Sequence, residues 1–127
     1  MKKNKVLLVE DNDEISSIVS WLLEEEGYAV NSTTHLPAKQ LAAFEPDLIV
    51  LDEWLADIGG HMLCKEIKAM AELAHVPVII FSTATDIEEL MASCGADGFV
   101  RKPFDLQELT REVGRLLNPH KISASYN

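Results

Sequence analysis

The sequence predicts an α/β protein, a doubly wound sheet of five parallel strands with helices on both faces. Short apolar runs alternate with amphipathic stretches, strand then helix, five times along the chain. The strand runs are apolar at consecutive positions, the pattern of strands buried on both faces. The length, 127 residues, suits one domain that buries roughly two thirds of the surface its unfolded chain exposes.

"KVLLV" (5–9) reads as a buried first strand. "DEISSIVSWLLEEE" (13–26) is a helix with Ile15, Ile18, Val19, Leu22 and Leu23 on one face, Asn12 or Asp13 as its N-cap and Gly27 as its stop. "YAVNS" (28–32) is a more polar strand, suited to a sheet edge. "LPAKQLAAF" (36–44) is a short helix that tolerates Pro37 in its first turn. "DLIVL" (47–51) is the third strand. Gly59-Gly60 precede a helix over "HMLCKEIKAMAEL" (61–73), with Leu63, Ile67 and Met70 on one side. Pro77 introduces the fourth strand, "VIIF" (78–81), and "DIEELMAS" (86–93) is a short helix stopped by Gly95. "GFV" (98–100) is a minimal fifth strand. "DLQELTREVGRLL" (105–117) is the last helix, with Asp105 and Glu108 at capping-box spacing and a stripe of Leu106, Leu109, Val113, Leu116 and Leu117. Residues 1–118 are one domain, and 119–127 are a polar tail or the start of a linker.

The charge balance narrows the function classes. Lys plus Arg number 11 against 21 Asp plus Glu, a net charge of −10. Such a chain has no general attraction for nucleic acid or for an anionic membrane, which argues against direct DNA binding. No apolar run approaches the ~20 residues of a membrane span. The apolar stretch Val6–Val9 is too short for a signal-peptide core, so a cytoplasmic location is expected. Cys64 and Cys94 each stand alone in an apolar helical pattern without metal-ligand spacing. They read as buried thiols of a reducing compartment.

In open α/β sheets, chemistry gathers outside the carboxyl ends of the strands. Glu10, Asp11, Asn12 and Asp13 follow strand one, and Asp52 follows strand three. Ser82, Thr83 and Ala84 follow strand four; Arg101, Lys102 and Pro103 follow strand five. If strands one and three are neighbours, Glu10, Asp11 and Asp52 converge at one rim. Three close carboxylates repel one another, so a cation must compensate. A hard divalent ion such as Mg2+ suits an all-oxygen set, whereas the lack of His or Cys at these exits argues against zinc or copper. Lys102 adds a point charge that can pair with a carboxylate or a phosphoryl group, and Ser82 adds a hydroxyl. Carboxylate nucleophile, metal, cation and hydroxyl together match phosphoryl transfer onto an aspartate. Singly, each has a plainer reading: an acid after a strand is often a helix cap, Ser82 a turn residue, and Lys-Pro says little. The joint placement at four strand exits is what is specific. Glu53, next after Asp52, reads as solvent-facing and incidental.

The segments "VLLVEDN", "PDLIVLDEWLADIGG", "VPVIIFSTA" and "GADGFVRKPFD", in this order and spacing, resemble the receiver domain of bacterial two-component response regulators. The resemblance runs from about Lys5 to Leu117. It implies a flavodoxin-like (receiver) fold with strand order 2-1-3-4-5. It implies that Asp52 is the phosphoacceptor, and that Glu10 and Asp11 hold Mg2+ together with Asp52 and the backbone carbonyl of Trp54. By the same resemblance the Ser82 hydroxyl reorients toward the phosphoryl group, and Lys102 is its cationic partner, followed by a cis bond to Pro103. Phe99, three residues before Lys102, falls where the family has an aromatic switch residue.

The implied donor is a sensor histidine kinase or a histidine phosphotransfer protein docking on helix one. There Trp21 is read either as an interface anchor or as cover for the flank of the core. A downstream protein would engage the face formed by helix four (86–93), strand five and helix five (105–117). Ile87 and Met91 are either contacts there or ordinary core residues. Such a domain promotes its own phosphorylation and dephosphorylation in a phosphorelay without being a turnover enzyme. The chain departs from the family pattern at Ala56 and Asp57, where proline and glycine are common, at the bulky Trp54, and at Thr83, where alanine is usual. None of these removes an essential group, and the Trp54 ring is expected to shield the acyl phosphate from water.

Three rival readings fit the residues less well. A haloacid-dehalogenase-like phosphatase needs a second Asp two residues after the nucleophile, where this chain has Trp54. A flavin mononucleotide protein needs a phosphate cradle in the first loop, where Glu10, Asp11 and Asp13 would repel one. A degenerate receiver, acting as a non-phosphorylated protein-interaction module, is opposed by the intact Asp52 and Lys102. No output domain is read in the sequence: either the protein acts through protein contacts alone, or the chain is a fragment of a longer regulator.

Overall fold

The five apolar runs pair into one parallel sheet in the order β2-β1-β3-β4-β5. The strands are β1 (Lys5–Val9), β2 (Ala29–Thr33), β3 (Leu48–Asp52), β4 (Val78–Ser82) and β5 (Gly98–Arg101). They are joined by helices α1 (Asp13–Glu25), α2 (Ala38–Leu41) and α3 (Gly60–Ala69), and a C-terminal helix spans Leu106–Leu117. This computed structural model describes residues 3–53, 55, 59–82, 92–101 and 106–118, without the side chains of Ser82 and Leu106. Residues 83–91, which hold most of the helix expected over 86–93 with Ile87 and Met91, lie outside the described residues, as do Asp105 and the tail 119–127.

Strand alternation sorts the core into two layers. Ile49 and Leu51 of β3 pack with Leu41 of α2 and with Leu63, Cys64 and Ile67 of α3. Leu48 and Val50 pack on the other face with Val19 and Leu23 of α1 and with Leu109 and Val113 of the C-terminal helix. Every residue of β3 is buried, so the central strand is apolar on both faces, whereas β2 exposes Asn31 and Ser32 at the sheet edge as its polarity predicts. Fully burying each Leu, Ile or Phe contributes about 1.5–3 kcal/mol.

The helix ends follow local chemistry. Asn12 is the N-cap of α1, its side chain accepting the Ile15 N–H at 3.0 Å. Gly27 adopts φ +98°, the left-handed conformation that closes the helix, and donates to the Glu24 carbonyl at 3.0 Å. The apolar stripe of α1 is narrower than expected: Val19 and Leu23 are buried, but Ile18 is 52% exposed, about 100° around the helix from Val19. Helix α2 is only four residues and tightens into a 3-10 turn over Ala42–Phe44. Helix α3 stops at Ala69 rather than Leu73, because Met70 turns extended and the following turn carries Leu73 and Val76 into the same core.

The two cysteines are not isolated from each other. The Cys64 thiol donates to the Cys94 carbonyl at 3.4 Å, both residues being buried. Burial first, and the neighbouring Cys94 second, push the Cys64 thiol well above its usual pKa. Periodicity alone does not show that α3 and the turn before β5 share a face. Among the described residues, no helix is long and apolar enough to cross a membrane.

Candidate functional site

The carboxyl ends of β1, β2 and β3 meet at one rim. Asp52 ends β3 and Glu10 follows β1, and each is 4% exposed. The β1–β3 register runs from Val6 beside Leu48 to Val9 beside Leu51. One further step sets Glu10 beside Asp52 on adjacent strands. Both positions continue the face of Leu8 and Val50, which is the α1 side of the sheet.

Hydrogen bonds to backbone groups hold this corner. The Glu10 N–H donates to the Thr33 carbonyl at 2.9 Å, extending the pairing of β1 with β2. Glu10 Oε2 accepts the Asn12 N–H at 3.1 Å, and Asn12 in turn caps α1. Half-buried Asp11 accepts the His35 N–H from beyond β2 through Oδ1 at 3.3 Å. Glu10 and Asp11 are thus oriented by backbone N–H groups, and the segments that supply them are fixed by the sheet.

Buried carboxylates on neighbouring strands, with a third beside them, make a hard all-oxygen donor set. Taking such charges out of water costs several kcal/mol per ion (roughly) unless donors or cations answer it. Mg2+ fits this donor set, since it usually takes one or two carboxylates and keeps several waters. Among the described residues, no group of three or more His, Cys, Asp or Glu side chains is disposed to hold a metal by itself.

Of the other expected site residues, Ser82 ends β4 opposite Arg101 of β5. Phe99 is half-buried and pairs with Ile80, two positions before Ser82. The Arg101 guanidinium lies 5.8 Å from the centre of the Phe99 ring, within cation–π range. Trp54, Ala56, Asp57, Thr83, Lys102 and Pro103 lie outside the described residues, and so does the Ser82 side chain. Trp21 is 61% exposed, so it projects from α1 rather than covering the core.

Glu53 corrects the sequence reading. It is 4% exposed, not solvent-facing. Its Oε1 accepts the His61 N–H at 2.8 Å, and its Oε2 lies 2.6 Å from His61 Nδ1. The physical reason is the two-residue period of the strand. Ile49 and Leu51 face the α3 layer, and position 53 continues that set. The alternation was visible in the sequence; His61 as the partner was not.

The chain matches the family model of the response regulator receiver domain over residues 6–114. It is 32% identical over 117 residues to the DNA-binding dual master transcriptional regulator RpaA of Synechocystis, covering 89% of this chain and 48% of that protein. The chain spans about half the length of the curated relatives it matches. Its fold is similar to that of the chemotaxis response regulator CheY4 of Vibrio cholerae, with a TM-score of 0.80 at 25% identity over 91% of this chain and 100% of that one. It is similar also to the receiver domain of the sensor histidine kinase PA1611 of Pseudomonas aeruginosa, with a TM-score of 0.77 at 26% identity, covering 91% and 98% of the two chains. That structure has a magnesium ion coordinated in its active site cleft. With five parallel strands in the order 2-1-3-4-5 and the match over nearly the whole sheet-and-helix unit, this chain belongs to the response regulator receiver domain family.

Proposed function

We propose that this domain accepts a phosphoryl group on Asp52 from a phosphohistidine of a sensor histidine kinase or histidine phosphotransfer protein, with Mg2+ as cofactor. The observation that carries this reading is the buried Asp52 at the end of the central strand, one register step from buried Glu10, in a receiver-family chain. Backbone pairing of β3 with β1 and β4 presents the nucleophile from a rigid frame, so little orientation remains to be found in the transition state.

An Asp52 carboxylate oxygen attacks phosphorus. The new P–O bond forms as the P–N bond to the donor imidazole breaks, and the imidazole nitrogen keeps the electron pair. Water later cleaves the acyl phosphate, returning the Asp52 carboxylate and inorganic phosphate. Glu10, Asp11, Asp52 and the backbone carbonyl of Trp54 would hold Mg2+, which when bound supplies positive charge against the phosphoryl oxygens. Lys102 supplies the second cation, paired with the added phosphoryl group.

The output is a conformational switch. Ser82 turns toward the phosphoryl group, and the half-buried Phe99 ring moves into the space this opens. The face of helix 86–93, β5 and the C-terminal helix is thereby biased toward a downstream protein. The domain itself turns over no substrate, binds no nucleic acid directly and works in the cytoplasm. The DNA binding in RpaA's description belongs to a protein about twice as long as this chain.

Incubation with acetyl phosphate, followed by intact-mass analysis, tests the reading. One phosphoryl group per chain is expected with Mg2+ present and none after chelation, and Asp52→Asn abolishes it. Undiminished labelling of Asp52→Asn overturns the assignment.

A further inference from the structure

We infer that Glu53 and His61 are positioning residues for the phosphorylation of Asp52: the Glu53 carboxylate caps α3 from the end of β3 and ties the strand carrying Asp52 to the helix that follows. This rests on Asp52 being the phosphoacceptor.

Helix α3 begins without a cap of its own. Its N-cap residue is Gly59, which has no side chain to offer the orphaned N–H groups of the first turn. The carboxylate comes instead from six residues upstream. Glu53 Oε1 accepts the His61 N–H at 2.8 Å, and Oε2 lies 2.6 Å from His61 Nδ1. The side-chain pair thus adds a second contact to the one made by the His61 N–H. The carboxylate also stands at the positive end of the helix dipole.

The glycines complement this arrangement. A Cβ at Gly59 would stand 2.9 Å from Glu53 Oε2 and 2.9 Å from His61 Cε1. The room for a local cap is already filled by the Glu53–His61 pair. A Cβ at Gly60 would overlap the carbonyl oxygen of Asp52 itself. The first turn of α3 is therefore seated directly on the backbone of the phosphoacceptor.

Glu53 is held on three sides. Its N–H donates to the Phe81 carbonyl of β4 at 3.0 Å, and its carbonyl accepts the Gly60 N–H at 2.9 Å. Its carboxylate is held by His61. A cap from residue 59 would have to displace the Glu53–His61 pair, and it would not add this side-chain tie between helix and strand. Capping from the strand fixes where β3 ends relative to α3, and so the direction in which Asp52 is presented. Misplacing a reacting group by about 1 Å can slow a reaction by about a hundredfold.

Three variants separate positioning from capping: Glu53→Gln, Glu53→Ala, and Glu53→Ala combined with Gly59→Asp. Each is labelled with acetyl phosphate at saturating Mg2+, and amide exchange is followed at residues 61–63. Glu53→Ala is expected to lower the maximal labelling rate roughly tenfold or more at an unchanged half-saturating acetyl phosphate concentration. It is also expected to speed exchange in the first turn of α3 roughly fivefold. Glu53→Gln, which keeps the shape and an acceptor for the His61 N–H, falls between and guards against loss of folding. The double variant, with a local carboxylate cap in place of the one from the strand, regains amide protection, but its labelling rate stays low. Recovery of the rate together with protection would reduce Glu53 to a helix cap and overturn the inference. So would undiminished rates in Glu53→Ala and Glu53→Gln while the unsubstituted protein labels normally. An unsubstituted protein that takes no label overturns the phosphoacceptor reading, and the positioning role with it.

Discussion

The two rims of the sheet use the same acidic residues in different ways. At the amino ends of the strands, Asp47 accepts the Lys5 N–H at 2.7 Å, and Asp97 accepts the Val78 N–H at 2.8 Å. Asp97 also takes the Lys68 ammonium at 2.9 Å. Both acids are exposed, and each satisfies the first N–H of a strand. At the carboxyl ends, Glu10, Asp52 and Glu53 are buried. A parallel sheet directs its last carbonyls there, which offer a carboxylate nothing to accept. Donors must come from the following loops and helices, as they do for Glu10 from Asn12 and for Glu53 from His61. Acids at the amino rim complete the sheet, while those at the carboxyl rim take their donors from other elements.

The sharpest way to break this comparison is to remove one acid from each rim. Asp52→Asn should lose all labelling by acetyl phosphate with little change in urea midpoint. Asp97→Ala should keep full labelling and lose about 1–3 kcal/mol of stability, mostly through the Val78 N–H left without its acceptor. The half-exposed Lys68 pair contributes under ~1 kcal/mol of that. If Asp97→Ala abolished labelling at an unchanged midpoint, the division of the rims would be wrong.

Gly60→Ala probes the carboxyl rim through the backbone. Overlap with the Asp52 carbonyl should cost about 1–3 kcal/mol and slow labelling, whereas Gly27→Ala should destabilise through its positive φ and leave the labelling rate alone. Equal labelling by both variants would argue against close seating of α3 on β3.

Between the rims, the core holds groups that titrate only in alkali. The Cys64 thiol, ordinarily near 9.0, is raised by burial and by Cys94. The Tyr28 hydroxyl, ordinarily near 10.0, is raised by burial and by Glu26. For both acids the unfolded chain loses its proton first, so their stabilisation is complete below pH 9 and declines as pH rises beyond. The loss approaches about 1.4 kcal/mol per pH unit for each fully titrating group. A urea midpoint that is flat from about pH 8 to about pH 11 would contradict this, and Cys64→Ala should remove the earlier part of the decline.

The smallest effect on stability is expected at Trp21. Being largely exposed, Trp21→Ala should change the folding free energy by no more than about 0.5 kcal/mol. Labelling by acetyl phosphate should be unaffected, and phosphotransfer from a cognate kinase should slow. Unchanged transfer would remove Trp21 from the donor interface.

Much of this was legible before the fold was known. The apolar runs of β1 and β3, Gly27 at the end of α1 and the polar edge strand β2 all follow from local periodicity and turn chemistry, with boundaries within a residue or so. Asp52 could be read as the exit of a buried strand. The short α2 and the early end of α3 could not, because packing against the sheet decides where those helices stop.

Glu53 marks the boundary between the two kinds of information. The sequence by itself determined five parallel strands, the apolar character of their two faces and the acids at their exits, because period and capping are properties of neighbouring residues. Only the tertiary structure decided that Cys64 meets Cys94 and that the Glu53 carboxylate reaches His61. Those pairings depend on strand register and on where helices seat against the sheet, and both are settled by long-range packing.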